Sequence, residues 1–249
     1  MGVPLHLTTV LRPPWDAAWH ALGRQPSPGL FEALMRRYAE PHRHYHTLQH
    51  LAECLDGFEQ ERAQAARPAE VALALFFHDA VYELQASDNE ARSADWARDA
   101  LRGAGVPDDA AARVHALVMA TLHDAQPTDA DAQLLVDIDL SILGAPPERF
   151  AEYERQIRRE YAHVPPEVFE PRRKGILGRF LAREPLYQTP GVRARCEAQA
   201  RINLRQAVGA RGRRTSSLSP AAPANGPARA PAGRPPVPPP WPAPRRSAR

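Results

Sequence analysis

The sequence predicts an all-α protein. Apolar residues recur with helical periodicity from about residue 14 to residue 209, and the alternation typical of strands is nearly absent. Residues that start or stop helices separate the periodic segments. No internal repeat is visible. We therefore expect one orthogonal helical bundle of about eight to ten helices, followed by a tail of different composition.

The first three helices have recognisable starts. Ser27 is a suitable N-cap for GLFEALMRRYAE, and Thr47 is a suitable N-cap for LQHLAECLDGFEQERA, which carries one apolar stripe. Pro68 opens AEVALALFFHDAVY. Because this segment is apolar nearly all round, we expect it to lie in the middle of the bundle.

The remaining helices follow the same logic. Ser87 and Glu90 fit a capping box for DNEARSADWARDALRG. Pro107 begins DDAAARVHALVMATLH, and Gly144 ends DADAQLLVDIDLSIL. The last three helices are predicted in PERFAEYERQIRREYAH, in residues 166–182 and in residues 192–208.

Residues 211–249 form the predicted tail. They contain eleven of the 27 prolines and eight arginines, but no acidic residue, so we expect them to be disordered. The tail carries +8 of a chain whose net charge is +3, which leaves −5 on the residues before it. A nucleic-acid role is therefore not expected of the folded domain, although the basic tail could make weak contacts with an anionic partner.

The cysteine content and hydropathy indicate a cytoplasmic protein. Cys54 and Cys196 are the only cysteines, too few and too far apart for a disulfide framework. The first residues lack the basic and apolar regions of a signal peptide. No apolar run reaches about 18 residues, so no membrane span is expected. The sequence does not indicate an oligomeric state.

A histidine-rich segment is the first candidate for chemistry. In YHTLQH, His46 and His50 are four residues apart and so share one face of the helix that begins there. Borderline divalent metals favour imidazole together with carboxylate. The alternative for this segment alone is a cluster of surface histidines.

Two further groups supply carboxylates. His78 and Asp79 follow the most apolar helix, where an ionisable pair is unfavourable unless it is paired or bound to a metal. Asp137 and Asp139 interrupt a later apolar helix, and being two residues apart they point to different faces. A buried carboxylate needs a cation, so at least one of the two is a candidate ligand. Salt bridges would be the non-metal explanation.

Taken together, these residues resemble the HD-domain superfamily of metal-dependent phosphohydrolases. The order H…HD…D appears as His50, then His78-Asp79, then Asp139 or Asp137, with gaps of 28 and 60 residues. The words RHYHTLQH, FFHDAVY, DNEARSA, DIDLSILG and RFLAREPLY are similar to a bacterial group of predicted HD phosphohydrolases. The resemblance covers residues 10–208.

The resemblance implies a ligand set and a reaction. His50, His78, Asp79 and Asp139, with Asp137 as the alternative to Asp139, would hold a divalent ion such as Mn²⁺, Mg²⁺ or Fe²⁺. His123 would be a ligand of a second ion, bridged by Asp79. The reaction would be hydrolysis of a phosphoester, in a small nucleotide or related phosphate.

The word YHTLQH also resembles the YHNxxH word of cyclic-nucleotide phosphodiesterases, with Thr47 in place of Asn. This likeness implies that His46 is the general acid and His50 a metal ligand.

Weaker candidates lie nearby. Asn89 and Glu90 could face the site, although the capping box alone would explain Glu90. Most arginines are simply solvated, but five residues could supply contacts to phosphate. These are Arg158, Tyr161, Arg172, Arg173 and Lys174. Two other functions stay open on the sequence: a non-catalytic module that binds a nucleotide or a metal, and a metal-free helical protein.

Overall fold

The computed structural model describes residues 5–209, which form ten α-helices and contain no strand, confirming the all-α prediction. The helices are α1 (Leu5–Ala21), α2 (Leu30–Tyr38), α3 (Leu48–Glu61), α4 (Pro68–Phe77), α5 (Asn89–Gly103), α6 (Asp108–Met119), α7 (Ala130–Asp139), α8 (Pro147–Glu160), α9 (Pro166–Leu181) and α10 (Pro190–Gly209). Short 3₁₀ segments follow α3, α6 and α7. The predicted tail, residues 211–249, lies outside the described residues. Within residues 5–209, the search for a helix both long and apolar enough to cross a membrane finds none.

Helix α4 is the centre of the bundle, as its composition predicts. Every residue from Ala69 to Phe77 is buried, and the helix contacts α1, α3, α5, α6 and α7. Trp15 of α1 packs its ring 5.0 Å from that of Phe76 and 6.2 Å from that of Phe77. Burial of each such aromatic side chain stabilises the fold by about 2–3 kcal/mol.

Three predicted side-chain caps at helix starts can be compared with the structure. Thr47 caps α3, since its hydroxyl oxygen accepts a hydrogen bond from Gln49 N at 3.3 Å. The other two predictions are wrong. Helix α2 begins at Leu30 after Gly29, whose positive φ of 79° turns the chain there, and Ser27 contributes only its carbonyl. Helix α5 begins after Asp88 without a side-chain cap, so Ser87 and Glu90 form no capping box.

Helix α10, the last described helix, packs against the 3₁₀ segment that follows α7 and against α9. The Tyr187 hydroxyl, in the loop before α10, donates to Leu140 O at 3.0 Å. The side-chain amide of Asn203, within α10, donates to the carbonyls of Leu143 and Ala145, both at 2.9 Å. These bonds hold the 3₁₀ segment Leu140–Gly144, which directly follows Asp139. The position of Asp139 is therefore tied to the docking of α10.

Gly144 is where α10 comes closest to this segment. A Cβ atom at residue 144 would lie 2.6 Å from both Cβ and the backbone oxygen of Cys196. We expect Gly144→Ala to lower the free energy of unfolding by about 1–3 kcal/mol, because α10 must move away. Thermal or urea unfolding measures the change. Gly175→Ala in α9 is the control: nothing lies within 4 Å of its added Cβ, and alanine favours the helix by up to about 1 kcal/mol. Equal stability of the two variants would contradict the close approach.

Candidate metal centre

Three helices deliver the side chains of the candidate centre at their ends. His50 lies in the first turn of α3, just after the Thr47 cap. His78 and Asp79 follow Phe77, the last residue of α4, so neither is restrained by a continuing helix. Asp139 is the last residue of α7. Helix ends let neighbouring residues approach one point, as the adjacent pair His78-Asp79 requires.

The donor atoms of these four side chains lie at the spacing of ligands around one ion. His50 Nε2 is 3.2 Å from His78 Nε2, 3.2 Å from Asp139 Oδ1 and 3.5 Å from Asp79 Oδ2. His78 Nε2 is 3.0 Å from Asp79 Oδ2 and 3.6 Å from Asp139 Oδ1. Around an ion with bonds of about 2.1 Å, neighbouring donors are about 3.0 Å apart at a right angle and about 3.4 Å apart at a tetrahedral angle. The observed separations span this range.

The buried carboxylates of the cluster favour a positive charge among them. His78 Nδ1 lies 2.7 Å from Leu75 O, a spacing at which it donates and turns Nε2 towards the other ligands. Burial alone would lower the pKa of His78, but the neighbouring carboxylates, Asp79 first, raise it to about 9. Burial alone would raise the pKa of both carboxyl groups, but neighbouring histidines lower it, His78 first for Asp79 and His123 first for Asp139. A divalent cation could provide the charge that these carboxylates favour.

Cys54 is a member of the cluster that the sequence reasoning missed. It lies one turn after His50 on α3, and its Sγ is 3.7 Å from both ring nitrogens of His50. The ligand atoms of His50, Cys54, His78 and Asp139 all lie within 4.8 Å of one another, and this buried group could hold a metal ion. The signal for Cys54 in the sequence is its spacing of four residues from His50, which places both side chains on one face of α3.

Next to the cluster, the buried Glu160 pairs with the half-buried His46. His46 Nδ1 is 2.7 Å from Glu160 Oε2, which also accepts the Tyr82 hydroxyl at 2.9 Å. Glu160 Oε1 accepts the backbone N–H groups of three successive residues at 2.8–3.0 Å, those of His44, Tyr45 and His46. Glu160, the last residue of α8, thus holds both the ring and the backbone of His46. The sequence reasoning did not identify it.

The pairing of His46 with Glu160 changes the pKa of both side chains. Burial alone would lower the pKa of His46, but the Glu160 and Asp79 carboxylates outweigh it and raise that pKa. Burial alone would raise the pKa of Glu160, but His46 and the backbone N–H donors lower it to about 2. His46 is therefore stabilised as a cation next to the four candidate ligands.

Arg43 joins the segment of His46 to that of Asp79. Its buried guanidinium donates to His46 O at 3.1 Å, to Asp79 O at 2.6 Å and to Ala80 O at 3.2 Å. The Tyr38 hydroxyl adds a second link, since it accepts a hydrogen bond from Asp79 N at 3.2 Å. Both contacts orient the backbone that carries the His78-Asp79 pair.

The structure separates the two late aspartates and brings His123 to one of them. Asp139 reaches His50 and His78, and its Oδ2 lies 2.9 Å from His123 Nε2. Asp137 instead accepts the Thr189 backbone N–H, away from the cluster, and burial raises its pKa to about 6. His123 has a positive φ of 55°, and its buried Nδ1 has no hydrogen-bond partner among the described residues.

Of the residues predicted near the substrate, Asn89 and Arg158 bond to the backbone, whereas Glu90 lies near the cluster. Both side-chain atoms of Asn89 bond to the backbone of Glu83, which holds the loop before α5. Glu90 is half-buried near the cluster: burial, followed by the charge of Asp79, raises its pKa, and His123 and His46 oppose the shift. Arg158 donates to the carbonyls of Tyr161 and Val164 at 2.5 and 3.0 Å, so it closes the end of α8.

The remaining predicted phosphate contacts are spread over α9 and the turn before it. Burial raises the pKa of Tyr82, next to the site, and Tyr161 adds to this shift. The Tyr161 ring centroid is 6.1 Å from that of Phe169. Arg173 binds Glu154 and lies over the Tyr153 ring. Arg172 is exposed and Lys174 is half-buried.

Comparison of the chain with family models, with curated proteins and with solved structures finds no match. The geometry of the cluster is therefore the main basis for a functional proposal, and the resemblance to HD domains remains a prediction.

The Glu160 contacts predict a loss of stability. Glu160→Gln keeps one acceptor oxygen but places an NH₂ group where His46 Nδ1 and the Tyr82 hydroxyl donate. We expect the free energy of unfolding at neutral pH to fall by about 2–4 kcal/mol, because a buried charge pair is broken. Urea denaturation measures this loss. Glu152→Gln on the same helix is the control. The Glu152 side chain is 42% exposed, lies 3.5 Å from Arg149 and accepts a hydrogen bond from Gln156 at 3.3 Å, so the change in stability should be less than about 0.5 kcal/mol.

The same substitution predicts a pH dependence. The folded-state pKa of Glu160 is depressed from 4.5 to about 2, so its contribution to stability is present above pH 4.5 and is lost as the pH falls towards 2. The stability difference between the wild type and Glu160→Gln should therefore shrink over that interval. A difference that stays constant on acidification would contradict the buried pair.

Proposed function

We propose that this protein is a metal-dependent phosphohydrolase of the HD-domain type, acting on a phosphoester of a small nucleotide or related phosphate. The observation that carries the proposal is the convergence of His50, His78, Asp79 and Asp139 at ligand spacing. Their order along the chain, H…HD…D, supports the HD-type bundle as the finer description of the helical fold. The domain would span residues 10–208.

The donor set suits a divalent ion with open positions. Two imidazoles and two carboxylates match the preferences of Mn²⁺ and Fe²⁺, and Mg²⁺ would rely mainly on the carboxylates. The side chains of His50 and His78 are 2% and 1% exposed, but those of Asp79 and Asp139 are 17% and 13% exposed. The carboxylate side of the cluster therefore faces the route by which a substrate would enter. Such an ion supplies Lewis acidity, which makes water easier to deprotonate and a phosphoryl group easier to attack.

His46 is the proposed general acid. With Nδ1 engaged by Glu160, Nε2 on the other side of the ring is the nitrogen that can transfer a proton. The raised pKa of His46 keeps this proton available near neutral pH. Protonation of the departing oxygen by His46 would assist cleavage of its bond to phosphorus. Glu160 fixes the ring in the required orientation, in the manner of a carboxylate that holds a catalytic imidazole.

Asp79 has two roles in the proposal. One carboxylate oxygen, Oδ2, lies with the histidine nitrogens, and the other oxygen can accept a hydrogen bond from the attacking water. His123, through its contact with Asp139, is the proposed ligand of a second ion. Glu90, half-buried beside Asp79, adds an acidic group at the same edge of the site. Arg172 and Tyr161 are the proposed contacts to the substrate phosphate.

Metal content and hydrolysis test the proposal together. Protein purified without a His-tag should bind a divalent metal stoichiometrically and, with Mn²⁺, should hydrolyse a member of a phosphoester panel. Asp79→Ala should abolish turnover, and His50→Ala should also lower metal content. His115→Ala is the control, because His115 pairs with Asp95 on the α5–α6 side. Stoichiometric metal without turnover would instead favour a regulatory binding module, and hydrolysis that continues after metal loss would refute the proposal.

A second measurement tests His46. His46→Gln should retain the metal but lower kcat by about 10²–10⁴-fold, the usual contribution of a general acid. The wild type should lose activity as the pH rises through the raised pKa of His46, since only the protonated ring donates. The variant should lack this descending limb of the pH profile. An unchanged profile in His46→Gln would assign the proton to another group.

A further inference from the structure

The position of Cys54 is not explained by core packing alone. The side chain is 2% exposed and lies on the face of α3 that carries His50. A buried thiol usually has apolar neighbours. Cys54 belongs to the buried apolar core, but its sulfur also lies 3.7 Å from both ring nitrogens of His50 and within 4.8 Å of the ligand atoms of His78 and Asp139. The thiol thus has proposed ligands among its neighbours.

The distances fit a sulfur ligand. With a metal–sulfur bond of about 2.3 Å and a metal–nitrogen bond of about 2.1 Å, sulfur and nitrogen are about 3.1 Å apart at a right angle and about 3.6 Å apart at a tetrahedral angle. The observed 3.7 Å between Cys54 Sγ and His50 Nε2 lies close to the upper value. Cys54 can therefore join the shell with a small side-chain adjustment.

The protonation state of the thiol couples to metal binding. A metal ion binds the thiolate form of cysteine, so the thiol must lose its proton when it becomes a ligand. On binding, the S–H bond breaks, a metal–sulfur bond forms and the proton passes to the buffer. No electron is transferred, so the step needs no oxidant or reductant.

We propose that the Cys54 thiolate is a ligand of the ion and that the site therefore selects a thiophilic divalent cation, Fe²⁺, Co²⁺ or Zn²⁺, over Mg²⁺. This inference rests on the metal site of the proposed function. Thiolate binds borderline and soft ions far better than it binds the hard ion Mg²⁺. With His50, His78 and Asp139, Cys54 would complete a group of four donors, which leaves positions open for water or a phosphate oxygen.

Cobalt spectroscopy tests the inference without an activity assay. The metal-free full chain, without a His-tag, is titrated with Co²⁺ and its absorption spectrum recorded. A thiolate ligand produces a sulfur-to-cobalt charge-transfer band in the near ultraviolet, and nitrogen and oxygen ligands produce only the weaker visible bands. The wild type and the control Cys196→Ser should show the near-ultraviolet band, and Cys54→Ser should lack it while keeping visible bands. Cys196 is a suitable control because it is the only other cysteine and lies on α10, against Gly144.

Affinity provides a second readout. Cys54→Ser should weaken Zn²⁺ and Co²⁺ binding by more than about tenfold, since even the loss of an outer-shell contact costs about 10–100-fold. Its Mn²⁺ affinity should change less.

The outcomes separate the two proposals. Visible cobalt bands without the charge-transfer band in the wild type would overturn ligation by Cys54 and leave the metal-dependent hydrolase standing. Failure of the wild type to bind any of these ions would overturn both. Even if Cys54→Ser does not fold, a band retained in Cys196→Ser assigns the thiolate to Cys54, and a band lost there refutes it.

Discussion

The burial of α4 is the constraint on which the rest of the structure depends. A helix with every residue from Ala69 to Phe77 inside the protein must be surrounded, and five other helices contact it. The backbone groups at the C-terminal end of α4 also need hydrogen-bond partners. The Tyr38 hydroxyl donates to Phe76 O at 3.1 Å and accepts a hydrogen bond from Asp79 N. The central helix therefore ends where the His78-Asp79 pair begins, at the meeting point of α3 and α7.

Two buried charged side chains then hold the site together. Arg43 links the carbonyls of His46 and Asp79, which are 33 residues apart in sequence. Glu160 binds the backbone from His44 to His46 from the end of α8, more than a hundred residues away. Because both groups are buried and fully hydrogen-bonded, they position the imidazoles before any ligand arrives, which is what precise catalytic or metal geometry requires.

The carboxylate of Glu160 differs from those of Asp79 and Asp139 in its partners and its exposure. Glu160 raises the pKa of His46 and is occupied by hydrogen bonds from the protein. Asp79 and Asp139 lie among histidine nitrogens and retain partial exposure. This division places a stabilised proton donor beside a cluster that favours a cation. The proposed function requires both of these features in one site.

The sequence by itself determined most of the helices, since the 3.6-residue periodicity, the Thr47 cap and the apolar run of α4 are local properties. It missed the start of α1, which begins at Leu5 rather than near residue 14 and contains Pro13 and Pro14. It also supplied His50, His78, Asp79 and Asp139 as candidates, although the choice between Asp137 and Asp139 stayed open. Only the tertiary structure decided which aspartate turns towards the histidines, because residues two apart on a helix differ by about 200° in direction. It alone brought Glu160, Arg43 and Cys54 to the site, because their partners are set by how helices pack rather than by any sequence pattern. The incorrect Ser27 and Ser87 caps have the same cause: Gly29 and the packed loop before α5 fixed the helix starts.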